Sequence, residues 1–348
     1  MQVLDLFSGA GGLSVGFRNA GFEIVGGVDF DKNAISTYKS NFPSSAAWLE
    51  DLESPTDEFQ KWISHLRGKV DVIIGGPPCQ GFSIAGKRNP DDPRNRLYQK
   101  FIEIVEQIQP EAVLIENVPH IAAMNDGAVK RAIEADLSAL GFVVEVATLN
   151  ASHFGVPQAR KRTFFVGLKS RRFEFPKPST ESEPINCFDA IGDLPSLDKS
   201  VTGIETNYVS AAITEYQALM RSGSGRLTNH EIVRHKTQTI EIVSLVPDGG
   251  NYKNLPESLQ STRKVNIAWT RMNSKKPSFT IDAGHNHHFH YSENRVPSVR
   301  ECARIQSFPD KFEFLGPRTS QYRQVGNAVP PLLAQVIAEE IEAQVRKS

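Results

Sequence analysis

A thiol and a carboxyl each stand at the end of an apolar run. Pro77-Pro78-Cys79-Gln80 follows Val70-Asp71-Val72-Ile73-Ile74-Gly75-Gly76, and Glu116-Asn117-Val118 follows Ala112-Val113-Leu114-Ile115. Apolar runs of that length read as buried strands. Two such strands deliver Cys79 and Glu116 to one carboxyl-end edge of a sheet, where open α/β sheets bind their ligands. A thiol beside a carboxyl suits nucleophilic addition to an electron-poor ring with a proton supplied to a ring nitrogen. A lone Cys more often fills a core as a small hydrophobe. Two prolines ahead of it at a strand end make packing a poor explanation for Cys79. The other cysteines, Cys187 and Cys302, are far from it and from each other, so neither a disulfide framework nor a CxxC zinc site is expected.

A third element is Phe7-Ser8-Gly9-Ala10-Gly11-Gly12, between the first strand and the first helix. Glycines there permit tight turning and close approach of a ligand. Ser14 takes the place of the third glycine of GxGxxG, which disfavours a dinucleotide pyrophosphate. Asp29 ends the second strand, where an acid would hold ribose hydroxyls, and Phe30 beside it would lie against an adenine face. Thiol, carboxyl and nucleoside loop together point to group transfer onto a pyrimidine.

These groups need a scaffold. Strand signals at Gln2–Leu6, Glu23–Val28, Val70–Ile74, Ala112–Ile115, Val143–Asn150 and Thr163–Leu168 alternate with helix signals at Gly12–Ala20, Lys32–Asn41, Leu97–Gln107 and Ala128–Leu140. Such alternation predicts an α/β fold with a doubly wound, mostly parallel sheet. After Lys169 the texture becomes rich in Pro, Ser and Glu, then polar with Gly249-Gly250 and short strand signals, as in a smaller loop-rich domain. Helical signals return at Ser298–Ile305 and Pro331–Lys347. The expected division is a catalytic and cofactor-binding domain over 1–178 plus 322–348 and a smaller domain over 179–321.

Charge is unevenly spread. Residues 1–150 hold 13 Lys and Arg against 20 Asp and Glu, whereas residues 151–316 hold 22 against 17. A basic segment on an acidic catalytic part is the footprint expected where one region grips phosphates. Gln80, Phe82, Ser83, Lys87, Arg88 and Arg94 lie in a long, basic, glycine-punctuated loop after Cys79, the kind that often covers an active site. Gln158, Arg160 and Arg162 alternate along an extended segment and share one face. Contact with a cytosine carbonyl or with phosphates is open to these arginines. The cluster His285-Asn286-His287-His288-Phe289-His290 has no Cys or paired acid to complete a metal spacing, so no metal is expected. No apolar run approaches a membrane span. The start enters a strand with no basic leader, so a cytoplasmic protein without membrane contact is expected.

These residues resemble the DNA cytosine-5 methyltransferases of bacterial restriction–modification systems, nearly end to end and in the family's order. Asp5–Gly12 resembles the S-adenosylmethionine loop, Pro77–Gln80 the Pro-Cys element, and Glu116–Val118 the Glu-Asn-Val element. Gln158-x-Arg160-x-Arg162, Arg300–Pro309 and Gly326–Val329 resemble three further blocks. The resemblance implies a methyltransferase-type sheet. It also implies transfer of methyl from S-adenosyl-L-methionine, leaving S-adenosyl-L-homocysteine, to C5 of a flipped-out cytosine in a specific double-stranded DNA sequence. It implies Cys79 as nucleophile at C6, Glu116 at N3 and Arg162 at O2, with Arg160 also catalytic. Phe7, Gly9, Gly11, Gly12, Asp29, Phe30, Asp51, Leu97 and Asn327 then form the cofactor site. The middle segment becomes the target-recognition region, with Arg226, Arg234, Arg263 and Arg271 as DNA-contacting candidates. A prokaryotic, nucleoid-associated monomer is implied, with a companion restriction endonuclease that acts on the same site without a stable complex.

Two other readings compete. A tRNA cytosine-5 methyltransferase would carry Cys-Phe-Thr in the recognition region, where this chain has Cys187-Phe188-Asp189. A non-catalytic DNA-binding protein on the same fold would not need Cys79, Glu116 and the glycine loop all intact.

Overall fold

Val3, Leu4 and Leu6 have no exposed surface. They form β1 (Gln2–Leu6), an interior strand of a seven-stranded sheet. The chain continues through α1 (Gly12–Asn19), β2 (Glu23–Asp29), α2 (Lys32–Asn41), β3 (Ala46–Leu49), α3 (Asp57–His65) and β4 (Val72–Gly75). It proceeds through α4 (Arg96–Ile108), β5 (Ala112–Asn117), α5 (Ala128–Ala139), β6 (Val143–Asn150) and β7 (Lys161–Leu168). This computed structural model describes residues 1–78, 96–169, 171–180, 182–197, 205–262, 269–283 and 288–346. Cys79, Gln80, Phe82, Ser83, Lys87, Arg88, Arg94 and Arg263 lie outside the described residues, as do His285, Asn286 and His287.

The strand order is β3-β2-β1-β4-β5-β7-β6. The first five run parallel, and β7 pairs antiparallel with both β5 and β6. The continuous apolar runs of β1, β4 and β5 are those of strands covered on both faces. Helix starts are chemically marked: Asp31 accepts from the backbone N–H of Asn33 and Ala34, and Thr56 from that of Phe59. The sequence reading omitted β3 and α3. The strand is only four residues long and half exposed, so its apolar signal is weak.

The described chain forms two compact units. The first comprises 1–150, 161–177 and 331–348; the second comprises 151–160 and 178–330. The sequence-based boundaries differ, because Arg160 and Asn327 fall in the second unit. That unit contains α6 (Cys187–Ile191), α7 (Glu215–Arg221), α8 (Thr237–Ser244), α9 (Glu257–Gln260), α10 (Val299–Ile305) and α11 (Arg318–Asn327). Its described strands, β8 (Glu205–Thr206) and β9 (Leu227–Thr228), are two residues each, so short helices stand where scattered strands were expected. Capping boxes open α6, α7 and α10. Helix α12 (Pro331–Val345) returns to the first unit and packs on α1, where Gly16 leaves room for Ala334.

The cores differ in kind. The first unit's is a large apolar cluster reaching from Leu4 through Phe101 and Ile115 to Phe165. In the second unit a smaller cluster, including Val243, Trp269 and Phe289, lies beside buried charges. Among the described residues no helix is long and apolar enough to cross a membrane.

Candidate active site

Strands β4 and β5 are parallel neighbours, so they end on the same edge. The Asn117 amide donates to the Pro77 carbonyl at 2.9 Å, and its Oδ1 accepts from the Val118 N–H at 3.0 Å. Asn117 therefore ties the end of one strand to the exit of the other, one residue after Glu116 and two before Cys79. A Cβ placed on Gly76 would lie 3.1 Å from Glu116 Oε2, so that carboxyl stands against the turn into Pro77.

Arg162 faces Glu116 because of strand register. Glu116 pairs with Phe164 across β5 and β7, which makes Arg162 its diagonal neighbour on the same face. Arg162 Nε lies 2.9 Å from Glu116 Oε1, and both side chains are mostly buried. Burial lowers the pKa of the Arg162 guanidinium, and the facing carboxylate works the other way. The pair offers a planar substrate one cation and one carboxyl side by side.

Two of the three cysteines, Cys187 and Cys302, are among the described residues, and both are buried. Burial pushes the Cys187 thiol up to about 12 and raises that of Cys302 as well. Neither supplies a thiolate near neutral pH. Of three cysteines in the chain, Cys79 remains.

The glycine loop has the shape of a ligand cradle. Gly9 and Gly11 take φ values of +53° and +99°. Phe7 adopts +59°, a left-handed conformation that an aromatic residue takes only when its surroundings impose it. Asp29 Oδ2 accepts from the Gly9 N–H at 2.8 Å and its Oδ1 from the Asp31 N–H at 2.9 Å. Burial raises the Asp29 carboxyl, and these two bonds resist the rise. Phe30 is 75 % exposed next to it. A flat face, an acid and open backbone fit a nucleoside. Asp51 sits exposed in the turn after β3, where it accepts from the Glu53 N–H at 3.0 Å. Leu97 lies half-buried on the core in α4, and Gly12 opens α1.

Gln158 and Arg160 belong to the second unit. Gln158 is fully buried, bonded to the side chain of Gln306, and accepts from the Ile281 N–H at 3.0 Å. Arg160, also without exposed surface, donates to the Gly326 carbonyl at 2.8 Å. It thus holds the turn that carries the exposed Asn327. The sequence reading missed Asn117 and Gln306 as supports, although both sit inside the motifs.

Arg271 requires a correction. It was expected to contact DNA, yet it is 3 % exposed and all five of its N–H groups are engaged. They reach the carbonyls of Val246, His290, Glu293 and Val243 and the Asn294 side chain. Other arginines in the middle segment are buried as well. Arg160, Arg271, Arg295, Arg300 and Arg304 are all at most 4 % exposed, so five of its 22 cations are internal, alongside the buried carboxylates of Asp193, Glu301 and Asp310. Arg226 and Arg234 are exposed, with Arg226 3.6 Å from Glu313. In the histidine cluster, His288 stacks on Phe279 with centroids 4.7 Å apart, and His290 lies 3.6 Å from Glu301. Among the described residues no group of three His, Cys, Asp or Glu is placed to hold a metal.

Residues 1–343 match the family model of C-5 cytosine-specific DNA methylases. The Type II methyltransferase M1.HphI of Haemophilus parahaemolyticus is 41 % identical over 347 residues, covering 98 % of this chain and 86 % of that protein. The Type II methyltransferase M.DdeI of Desulfomicrobium norvegicum is 39 % identical over 372 residues, covering 98 % and 88 %. A solved structure of a candidate DNA modification methyltransferase, encoded within an E. coli prophage, is 28 % identical. It superimposes with a TM-score of 0.81, covering 99 % of both chains. Spodoptera frugiperda DNMT2, 20 % identical with a TM-score of 0.58 over 100 % and 99 % of the chains, shares the fold.

Proposed function

The chain belongs to the C-5 cytosine-specific DNA methylase family and is a DNA methyltransferase of the restriction–modification type; from that premise we propose how its residues carry the reaction. The thiolate of Cys79 adds to C6 of the target cytosine. Glu116 holds and protonates N3, which draws charge out of the ring, while Arg162 holds O2. The observation that carries this reading is the Glu116–Arg162 pair against Gly76, with Asn117 tying the two strand ends together.

Attack at C6 makes C5 nucleophilic. Phe7, the Gly9–Gly12 turn, Asp29 and Phe30 would hold S-adenosylmethionine, whose sulfonium would supply the methyl group to C5 and leave S-adenosylhomocysteine. The C5 proton then passes to water, N3 returns its proton to Glu116, the C5–C6 double bond re-forms, and Cys79 leaves as thiolate. A thiolate suits both steps because it is strongly nucleophilic and a good leaving group. The base cannot react inside a duplex, so it is flipped out, at a cost of a few kcal/mol. Contacts from the second unit and from the residues after Cys79 offset that cost. The partner is double-stranded DNA read at a specific sequence, and a companion endonuclease acts on the same site without a lasting complex.

Bisulfite sequencing of DNA from cells expressing the chain tests the activity and reports its sequence context. DNA carrying 5-fluorocytosine at that site should trap a covalent adduct with the wild type and none with Cys79→Ala. Undiminished methylation by Cys79→Ala would remove the thiol from the mechanism.

A further inference from the structure

Beneath the donor loop lies a chain of three polar side chains in an otherwise apolar setting. Ser14 Oγ donates to Asp5 Oδ2 at 2.6 Å, and the Tyr38 hydroxyl lies 2.9 Å from Ser14 Oγ. When Asp5 is ionised, Ser14 gives its proton to Asp5 and Tyr38 is the donor to Ser14. The chain joins α2 through α1 to β1. Asp5 is 1 % exposed, and Ser14 and Tyr38 have no exposed surface.

The tyrosine ring occupies space left by two glycines. A Cβ on Gly27, in β2, would overlap it. A Cβ on Gly11, in the loop, would lie 3.0 Å from its Cδ2 and 2.7 Å from Cε2 of Phe42, whose ring stacks on Tyr38. The ring is thus packed against the loop, against the strand that ends in Asp29, and against the ring of Phe42.

Packing alone does not call for these polar groups. A phenylalanine would fill the same space, and burying a hydroxyl and a carboxyl costs free energy unless they are bonded. Asp5 Oδ1 has no hydrogen-bond partner. Burial pushes the Asp5 carboxyl up to about 7, the Ser14 bond opposes that, and Asp29 adds to it. Arg18 is the cation that acts on Tyr38. The polar chain is therefore a liability for stability, and it sits directly under the turn from Phe7 to Gly12.

We propose that Tyr38 is a positioning residue for the methyl donor: its hydroxyl, through Ser14, and its ring, against Gly11, hold the Phe7–Gly12 turn in the shape that receives the cofactor. The inference rests on the reading of that turn as the donor site. Tyr38 touches no reacting atom, so it sets donor affinity and leaves the transfer step alone.

The test compares Tyr38→Phe, Tyr38→Leu and a core control, Leu137→Ala in α5, which has no exposed surface in the wild type. Calorimetry measures Kd for S-adenosylmethionine and for S-adenosylhomocysteine, with thermal melting and steady-state kinetics alongside. Loss of one hydrogen bond should raise both Kd values and the donor KM about fivefold in Tyr38→Phe. The value of kcat and the KM for DNA should stay at wild-type level, the pattern of lost uniform binding. Tyr38→Leu should weaken donor binding further, while Leu137→Ala should melt earlier with donor Kd unchanged. A Tyr38→Phe protein that melts early but binds the donor normally would overturn the proposal. So would a donor Kd that tracks melting temperature across all three variants, or a fall in kcat alone. Wild-type protein that binds neither ligand would instead overturn the underlying assignment of the loop, and the proposal with it.

Discussion

The two units solve the same problem with different chemistry. The first satisfies its backbone through a seven-stranded sheet and helices, and fills the space between with Val, Ile, Leu and Phe. The second has little sheet and short helices, so many of its carbonyls find no partner in a regular element. Arginines supply those partners. Arg300 donates to the carbonyls of Thr228, Pro309 and Phe312. Arg271 reaches four more. Arg304 binds Asp310 with two nitrogens at 2.8 and 2.7 Å and Asp193 with the third at 2.6 Å. A guanidinium carries five donors in a fixed fork, and each buried carbonyl left unpaired is costly. An arginine can therefore organise loops that secondary structure does not. The lesson is that a basic composition records two different uses of charge, and burial separates them.

The largest expected effect removes one of these arginines. Arg304→Met strips buried Asp310 of its two-nitrogen partner and leaves Asp193 with Arg221 alone. That should cost about 3–5 kcal/mol in urea unfolding. A methyl-deleting change in the first unit, such as Leu114→Ala, should cost about 2–5 kcal/mol through a cavity. The double-mutant signature separates them. Adding Asp310→Leu to Arg304→Met should recover part of the loss, because it removes one stranded charge, whereas a second deletion beside Leu114 should only add to it. Equal additivity in both units would erase the contrast.

Arg271→Lys comes next. An ammonium has three donors and cannot reproduce the fork, so at least two of the acceptors lose their partner. A loss of about 2 kcal/mol is expected in unfolding, with the methylated sequence unchanged in bisulfite reads. A relaxed target sequence in a stably folded Arg271→Lys protein would restore it as a base-reading residue.

The units should also answer pH with opposite signs. Burial raises the Asp5 carboxyl from the ordinary aspartate range to about 7. Its folded form keeps a proton that the unfolded chain has already released, so its contribution to stability is complete below about pH 4 and is lost as pH climbs to about 7. Glu301 behaves in reverse. Burial opposes its charge, but Arg295, bound through two nitrogens at 2.7 and 2.8 Å, together with His290 and His230, holds its carboxyl well below the usual range. Its contribution is present above the unfolded carboxyl pKa and is lost as pH falls through the folded one. Chemical denaturation across pH 3–8 should show Asp5→Asn flattening the neutral limb. A conservative Glu301→Gln should flatten the acid limb. One variant flattening both limbs would show that these sites do not titrate independently.

The same contrast explains what could be read from sequence. The strand ends at Gly75, Glu116 and Asp29 were legible because sheet strands announce themselves as local apolar runs, and a parallel sheet brings their ends to one edge. The loop at Gly9–Gly12 was legible because glycines mark it. The Asp5–Ser14–Tyr38 chain was not, since it joins three elements through single polar residues with no shared period. The short helices of the second unit escaped for a similar reason. The bonds that organise them link residues such as Arg300 and Thr228, 72 positions apart. Arg271 misled because a sequence displays a guanidinium's charge and hides its five partners.

The smallest expected effect on stability belongs to a residue that the correction leaves standing. Arg226 is exposed and lies 3.6 Å from the Glu313 carboxylate. A pair of that kind contributes about 0–1 kcal/mol, so Arg226→Ala should unfold almost as the wild type does. Its guanidinium keeps the one property the buried arginines have lost, access to a phosphate or a base edge. If it neutralises a phosphate, Arg226→Ala should weaken DNA binding alike at cognate and non-cognate sites and reduce the slope of log K against log salt by about one. If it reads a base, affinity should fall at the cognate site by about 1–3 kcal/mol and one position should relax. Titrations at several salt concentrations, on cognate and scrambled duplexes, distinguish the two. Unchanged affinity and slope on both duplexes would place the second unit's DNA contacts elsewhere and leave Arg226 with its carboxylate partner.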